Sequence, residues 1–351
     1  MHPRRRRNTA LSVAALALAG TTLGMYAPSK ALSPLTWSSS SGSPGAVVEH
    51  GSDAVVRVAS RVFGLSGRLR VVVADPSQTV QLPLEWVQAA SPLDVAYRWE
   101  PVSGTQMRLL TGEGQLAHGL FAPGSAGIWR LNLRGSDWAQ SLENLSVITR
   151  VPFAEKRGGY LNGYRIGTYP TETAPRGASY APPAGFIEVT PENQDLFVSE
   201  HFRLRNFLTK DQFSVWPKYL ALDLRLIDKL ELVIQELNAM GIRAEHVAVM
   251  SGFRTPAYNI QGVGEGGRAL LSRHTYGDAS DVWIDNDQDG YMDDLNGDGR
   301  RDTEDARVML RAVDRVERRF PELTGGAGIY RDNGAHGPFI HIDVRGNPAR
   351  W

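Results

Sequence analysis

The chain has 351 residues, 42% of them hydrophobic, with 38 basic and 38 acidic side chains and no cysteine. This length is enough for two domains, each with a core of its own. The ordinary charge and hydrophobicity exclude wholesale disorder and the coiled-coil and collagen-like classes. Because there is no cysteine, a disulfide framework and a thiolate zinc site are excluded, and any metal ion must be held by nitrogen and oxygen ligands.

The net charge of zero conceals two local imbalances. Residues 1–31 carry five basic residues and no acid, whereas the segment Asp285–Asp305 carries nine acids and two arginines. The rest of the chain is close to neutral and has no basic stripe of the kind that binds nucleic acid. We therefore expect no nucleic-acid partner.

The first 31 residues are typical of an export signal. Arg4–Arg7 precede the apolar stretch Ala10–Leu23, and small residues follow around Ala31. This order matches a secretory signal peptide, and the apolar stretch is shorter than the about 20 residues that a transmembrane helix needs. An uncleaved membrane anchor is the alternative. We expect an exported protein of the periplasm, cell wall or extracellular space that meets a membrane only through this segment.

Residues 33–151 alternate short apolar runs with turn residues. The candidate strands are Ala54–Ala59, Arg68–Ala74, Val80–Trp86, Val95–Trp99, Met107–Leu110, Gly127–Leu133 and Leu145–Val151. Seven short strands without a helical period predict an all-β sandwich of immunoglobulin-like shape. The region has no cluster of histidines and acids, so we interpret it as a binding or spacer module.

The composition changes twice after this module. Residues 152–197 are rich in Gly, Pro, Tyr and Thr, which predicts a linker. In residues 198–351, Asp223 precedes an amphipathic helix that ends at Gly241, and Thr303 begins a second one. Apolar runs that read as strands are His246–Met250, Ala279–Ile284 and Phe339–Val344. The pattern predicts a C-terminal α+β domain.

Three polar stretches of this domain lie beside the apolar strands. They are Ser251–Pro256, Ser272–Asp281 and His341–Asp343. Two imidazoles and a carboxylate are a ligand set of catalytic zinc sites, which keep one position open for water. Zinc lowers the pKa of bound water to near 7. The residues alone therefore predict metal-assisted amide hydrolysis.

These stretches resemble the zinc D-alanyl-D-alanine carboxypeptidase family, whose fold is shared with hedgehog signalling domains. The matching pattern is S-G-[YF]-R-[TS]-P, then S-x-H-x-x-G-x-A-x-D, then a final H-x-D, and the resemblance covers residues 198–351. It implies that His274, Asp281 and His341 are zinc ligands. It also implies that Arg254 holds the substrate's carboxylate or polarises its carbonyl group. The implied substrate is a D-Ala-containing stem peptide or cross-link of peptidoglycan.

The general base departs from the family pattern. Many relatives place a Glu three residues before the last zinc histidine, where this chain has Pro338. His336 is the candidate to shuttle the proton or stabilise the tetrahedral intermediate, although it also fits an exposed loop histidine. Asp278 is a further acidic candidate. Asp343 is placed to orient the last zinc histidine, and Arg345, on the same strand face, is a candidate substrate contact.

The acidic segment 285–305 resembles two consecutive calcium loops. The first has Asp285, Asp287, Asp289 and Asp293, with glycine at its sixth position and Asn296 at its twelfth. The second has Asp294, Asn296, Asp298, Asp302 and Asp305. Because so many carboxylates repel one another without a cation, we expect calcium here, stiffening the neighbouring zinc site. The alternative is a solvated acidic insertion.

Together these features predict an exported zinc metallopeptidase, with zinc and calcium as cofactors, that cuts peptidoglycan as a carboxypeptidase or endopeptidase. Two alternatives stay open. One is a catalytically weak or inactive zinc- and calcium-binding protein that recognises the cell wall, which the missing Glu favours. The other is a calcium-dependent structural or adhesive protein. Hydrolysis that depends on His274 separates the first prediction from both alternatives.

Overall fold

A computed structural model of the chain describes residues 55–58, 64–82, 84–87, 94–102, 112–174, 176–264 and 267–351. The expected export signal and the expected strand Met107–Leu110 lie outside these residues. Among the residues described, no helix has both the length and the apolar character needed to cross a bilayer.

The N-terminal part contains two β-sheets. Strands β1 (Val56–Val58) and β3 (Leu84–Trp86) form a ribbon, and the five-stranded sheet contains β2 (Val71–Ala74), β4 (Ala96–Pro101), β5 (Glu113–Gln115), β6 (Gly127–Arg134) and β7 (Ala139–Thr149). The order in the larger sheet is β2-β7-β6-β4-β5, and only β2 and β7 are parallel. Val56 of β1 shares one hydrophobic cluster with Trp99 of β4 and Leu131 of β6. Two sheets thus enclose a common core, and the immunoglobulin-like shape stays a prediction.

Residues 152–197 differ from the linker that their composition predicts. Strands β8 (Val151–Pro152), β11 (Gly185–Val189) and β12 (Lys218–Leu220) form a three-stranded sheet, and β9 (Tyr160–Leu161) pairs with β10 (Tyr164–Arg165). Tyr164, Tyr169 and Phe186 are fully buried. Gly158, Gly159 and Gly163 lie in turns with positive φ, while the aromatic residues between the turns supply core. The described residues accordingly belong to one compact unit.

The C-terminal part is a five-stranded sheet with helices. It contains α1 (Leu224–Ala239), β13 (Val247–Ser251), α2 (Pro256–Asn259), β14 (Ala279–Ile284), α3 (Thr303–Arg319), β15 (Gly326–Tyr330), β16 (Phe339–Asp343) and β17 (Ala349–Arg350). The strand order is β13-β14-β16-β15-β17, and only β15 and β17 are parallel. Val282 and Ile340 of the sheet share a core with Leu230 of α1 and Val313 of α3. The opposite face of the sheet is left for polar side chains.

Both long helices begin at a capping carboxylate. Asp223 accepts a hydrogen bond from the Arg225 backbone N–H (2.9 Å), and Gly241 follows the last turn of α1 with φ +82°. Asp302 and Asp305 form a capping box at the start of α3. Two carboxylates expected as calcium ligands therefore serve the helix terminus.

The register of the sheet places two of the expected zinc ligands opposite each other. Asp281 of β14 pairs directly with His341 of β16, and directly opposed residues have Cβ atoms about 4.5–5.5 Å apart. A β-bulge immediately before Ser251 brings that residue opposite Asp281. Strand alternation puts Trp283 and Phe339 on the same face as this pair.

Candidate metal centre

Three ligand atoms converge on this face of the sheet. His274 Nε2 lies 3.2 Å from Asp281 Oδ1 and 3.1 Å from His341 Nδ1, and His341 Nδ1 lies 2.9 Å from Asp281 Oδ1. All three side chains are buried. Tetrahedral zinc, with bonds of about 2.0–2.1 Å, separates its ligand atoms by roughly 3.3 Å. The triangle of ligand atoms is therefore close to the size that zinc requires.

His274 is oriented by the loop that follows β13. Its Nδ1 lies 2.7 Å from Gly252 O. A carbonyl oxygen can only accept, so Nδ1 carries the proton and Nε2 keeps its lone pair. The ring belongs to a short 3₁₀ turn, Arg273–Tyr276, which ends at Gly277 with φ +75°. A Cβ at Gly277 would lie 2.3 Å from Ala221 O, so this position requires glycine.

His341 is oriented by Asp343. Its Nε2 lies 3.1 Å from Asp343 Oδ2, and the Asp343 carboxylate also accepts from the Gly326 N–H (2.7 Å) and from Arg345 Nε (2.9 Å). Burial alone would raise the pKa of Asp343, but the hydrogen bonds from His341 and Arg345 hold it well below its ordinary value. The ionised carboxylate only accepts, so Nε2 donates to it and Nδ1 is left for a metal.

His274 Nε2, His341 Nδ1 and Asp281 Oδ1 thus face one another as three acceptors, because the proton of each imidazole is on its other nitrogen. Such an arrangement is unfavourable unless a cation lies among the acceptors. Burial lowers the pKa of His341, but its hydrogen bonds to Asp281 and Asp343 raise it overall. Burial lowers the pKa of His274. Two imidazoles and one carboxylate fit zinc with a fourth position open.

Arg254 is bound to one of these ligands. Its Nη2 donates to Asp281 Oδ2 (2.5 Å) and its Nε donates to Ser251 Oγ (2.7 Å). Holding Oδ2 in this way leaves Asp281 Oδ1 for the metal. Arg254 Nη1 makes no hydrogen bond to any residue that the structure describes, which leaves both of its N–H groups for a substrate oxygen. The resemblance implies only substrate binding, and the contacts add a positioning role.

Arg345 and Asp278 also have partners within the protein. Arg345 is paired with Asp343, and its guanidinium carbon lies 5.5 Å from the centre of the Trp351 ring. Its charge therefore stabilises the ionised form of the Asp343 carboxylate, which orients His341. Contact of Arg345 with substrate stays a prediction. Asp278 is bound by the buried Arg273, so its carboxylate already has a cationic partner.

His336 lines a cleft beside the metal cluster. The cleft measures about 280 Å³ and its lining includes Met250, Trp283, Tyr291 and His336. Trp283 follows Asp281 by two residues on the same strand face, a distance of about 7 Å. The half-buried His336 ring stands edge-on to Phe339, with 4.9 Å between ring centres, and Phe339 precedes His341 by two residues on that face. The candidate general base thus belongs to the wall next to the cluster.

A second cleft is lined by sequence neighbours of His274 and Arg254. It also measures about 280 Å³, and its lining includes Gly167, Pro256 and Thr275. Thr275 follows His274 directly, and Pro256 follows Arg254 by two residues. Neither lining includes His274, Asp281 or His341, so each cleft is linked to the cluster only through residues next to these ligands in the chain.

Two further residues of the site carry no signal in the sequence. Partial burial and then the positive charge of Arg254 lower the pKa of Lys210, which places a second cation near Arg254. The Trp351 ring centre lies 5.3 Å from that of His341, and Trp351 Nε1 donates to the Tyr330 hydroxyl (2.9 Å). Both residues lie outside the three motifs, so only the folded chain identifies them.

The acidic segment forms two turns between β14 and α3. In the first, Asp285, Asp287 and Asp289 each have an oxygen within 4.8 Å of the other two. Asp293 instead accepts hydrogen bonds from the backbone and side chain of Asn286. In this first turn the structure therefore brings together three of the expected calcium ligands.

The second turn is organised by hydrogen bonds to its own backbone. The Asp294 carboxylate accepts from the N–H groups of Gly297 and Gly299, and Asp298 accepts from the Arg300 N–H and from Asn296 Nδ2. Asp305 bonds the N–H groups of residues 295, 296 and 302. Calcium binding by these acids stays a prediction.

Comparison with known proteins adds nothing to this geometry. No protein-family model matches the chain, and neither a curated protein nor a solved structure matches it. The resemblance to zinc carboxypeptidases accordingly stands on the three motifs and on the contacts that their residues make.

Proposed function

We propose that this protein is an exported zinc peptidase that hydrolyses a peptide bond in peptidoglycan stem peptides or cross-links. The observation that carries this function is the convergence of His274 Nε2, Asp281 Oδ1 and His341 Nδ1, whose protons are committed to other partners. Zinc held there supplies a Lewis acid that activates water and polarises a carbonyl group. The export signal and the three motifs support a cell-wall substrate.

The chain's own residues take separate parts in this reaction. The free Nη1 donor of Arg254 binds the substrate's carbonyl or terminal carboxylate oxygen. His336 accepts the proton of the attacking water and delivers it to the leaving amine. Asp343 keeps His341 in the tautomer that ligates, and Gly252 does the same for His274. The cleft lined by Trp283 and His336 holds the peptide beside the bond that is cut.

The second candidate function is recognition of the cell wall without hydrolysis. Pro338 occupies the position where many relatives carry the catalytic Glu. If His336 does not move protons, the cluster binds zinc and the clefts bind peptide, but no bond is broken. The two functions differ in chemistry at one residue and share the same ligands.

Mass spectrometry of purified peptidoglycan fragments separates the two functions. The zinc-loaded mature protein is expected to release a terminal D-Ala or to open a cross-link. His274→Ala is expected to abolish this, whereas His118→Ala, which changes an exposed histidine of the N-terminal part, should leave it unchanged. Intact fragments after incubation with protein that binds zinc stoichiometrically would favour recognition without hydrolysis.

A further inference from the structure

We infer that the first acidic turn, residues 285–293, binds one calcium ion, and that this ion holds the Tyr291 wall of the His336 cleft in place. Calcium binding by this turn is independent of the peptidase function, whereas its consequence for the substrate cleft rests on that function. Four observations support this inference: a buried oxygen, the geometry of the turn, its charge and its contact with the cleft.

The first observation is a buried carboxylate oxygen without a partner. Asp285 is 3% exposed, and its Oδ1 makes no hydrogen bond within the described part of the chain. Its Oδ2 accepts from the Gly290 N–H at 3.2 Å. An oxygen of Asp285 lies within 4.8 Å of one from each of Asp287 and Asp289. A buried carboxylate oxygen without a donor is costly, and a cation among the three carboxylates removes that cost.

The geometry and charge of the turn suit calcium. Gly290 has φ +88° at the sixth position, where a calcium loop turns sharply. Asp287 and Asp289 accept hydrogen bonds from backbone N–H groups within the turn. Arg301 pairs with both of these acids and neutralises one of three negative charges, so a divalent cation balances the remainder. Calcium accepts carboxylate, carbonyl and water oxygens in flexible geometry, whereas magnesium demands a near-ideal octahedron.

The turn is continuous with the wall of the cleft. It begins directly after β14, and Tyr291 lines the cleft together with His336. A Cβ at Gly337 would lie 3.3 Å from Tyr291 Cδ1, so the Tyr291 ring rests against the loop that carries His336. Met292 is fully buried and anchors the other end of the turn in the core. An ion that fixes the turn therefore also fixes the wall beside the candidate general base.

The second acidic turn lacks the corresponding feature. Its Asp294 and Asp298 oxygens accept hydrogen bonds from neighbouring backbone and side-chain N–H groups. None of its described carboxylate oxygens is both buried and without a partner. We therefore assign one ion to the chain, in the first turn.

Titration calorimetry of the zinc-free mature chain with calcium chloride tests the binding. We expect one calcium ion per chain and a higher melting temperature in calcium. Asp285→Asn should abolish binding. Asp289→Asn, at an exposed position of the turn, should weaken it by about tenfold or more. Asp298→Asn is the matched control and should bind as the wild type does. No heat of binding, or an equal loss in Asp298→Asn, would overturn the assignment.

Amide hydrogen exchange tests the link to the cleft without any substrate. Calcium should slow amide exchange in residues 331–338 of the wild type. The ion fixes the turn, and Tyr291 of the turn packs against this loop, so the loop should open less often. Tyr291→Ala should still bind calcium but lose this slowing. Exchange in residues 331–338 that calcium leaves unchanged in the wild type would contradict the link. Neither measurement uses zinc or peptide, so failure of the peptidase proposal would leave both results interpretable.

Discussion

His341 and Asp281 stand directly opposite each other on adjacent strands, with Nδ1 of the histidine 2.9 Å from Oδ1 of the aspartate. A slip of one residue in this pairing would turn one of the two side chains to the helix-covered face. Side chains alternate between the two faces of each strand, and Val282 and Ile340, which neighbour this pair, pack against α1 and α3. This packing fixes the register. Core packing on one face of the sheet therefore positions the candidate metal ligands on the other face.

We predict that Asp343 sets the zinc affinity of the proposed site through His341. Asp343→Asn removes the charge that holds the His341 Nε2 proton, so the ring loses its preference for the ligating tautomer. We expect zinc affinity to fall by about 10- to 100-fold, measured by competition with a chromogenic chelator. Asp314→Asn, which changes a half-buried acid paired with Arg350, is the control and should bind zinc as before. Equal affinities of the two variants would show that Asp343 has no orienting role.

Gly277 gives the turn at His274 its shape. Gly277→Ala places a Cβ 2.3 Å from a backbone oxygen at a φ of +75°, so the turn must move. Gly241→Ala is matched to it, because its φ is +82° but nothing lies within 4 Å of the new Cβ. We expect a loss of about 1–2 kcal/mol of unfolding free energy in Gly241→Ala and a larger loss in Gly277→Ala.

Zinc affinity distinguishes these two variants further. It should fall only in Gly277→Ala, since that turn carries a ligand. Equal losses of stability and unchanged zinc affinity in both variants would show that the close approach of Gly277 to Ala221 O does not position His274.

Lys229 ties α1 to the strand that carries His341. Its Nζ donates to Glu317 Oε1 (2.6 Å) and to Asp343 O (2.7 Å), and its side chain is fully buried. Lys229→Met leaves the buried Glu317 without this partner and should cost about 3 kcal/mol in urea unfolding. Arg68→Gln, which breaks the exposed pair with Glu200, should cost less than about 1 kcal/mol. Similar costs for the two variants would contradict this account.

His201 gives the protein a pH-dependent part of its stability. Its Nδ1 lies 2.7 Å from Glu231 Oε2, and this hydrogen bond raises the pKa of His201 above its ordinary 6.5, against the effect of partial burial. The folded state therefore binds the proton more tightly than the unfolded state. The resulting stabilisation is fully present below the unfolded pKa and is lost as the pH rises through the folded pKa.

We expect His201→Gln to cost roughly 1 kcal/mol more at about pH 5.5 than at about pH 8.5, as measured by urea unfolding. His118→Gln, at an exposed position, should show no such difference. A cost in His201→Gln that is the same at both pH values would rule out the linkage.

The motifs allowed the metal cluster to be predicted because each ligand lies in a short polar stretch beside an apolar strand. His274, Asp281 and His341 converge as their spacing and strand positions indicate. The roles of the arginines could not be predicted in the same way. A guanidinium can bind a substrate or a neighbouring carboxylate, and only the fold shows that Arg254 meets Asp281 and that Arg345 meets Asp343.

The segment 152–197 shows where composition misleads. Its glycines and prolines indicate a linker, yet Tyr169 and Phe186 are fully buried. The average composition of the segment is dominated by its many small residues and gives little weight to a few large aromatic side chains. Each of those side chains nevertheless buries a large area. Trp351 escaped prediction for a related reason, because its contact with His341 depends on the strands around it and not on local sequence.

The most direct test of the metal centre is a zinc titration in which bound zinc and hydrolysis of peptidoglycan fragments are measured on the same samples. We predict that hydrolysis rises in proportion to bound zinc, reaches its maximum at one zinc per chain and is absent in His274→Ala, together with the bound zinc. Zinc bound at a site that survives His274→Ala, or hydrolysis that is complete without zinc, would contradict the assignment of His274, Asp281 and His341 as a catalytic metal centre.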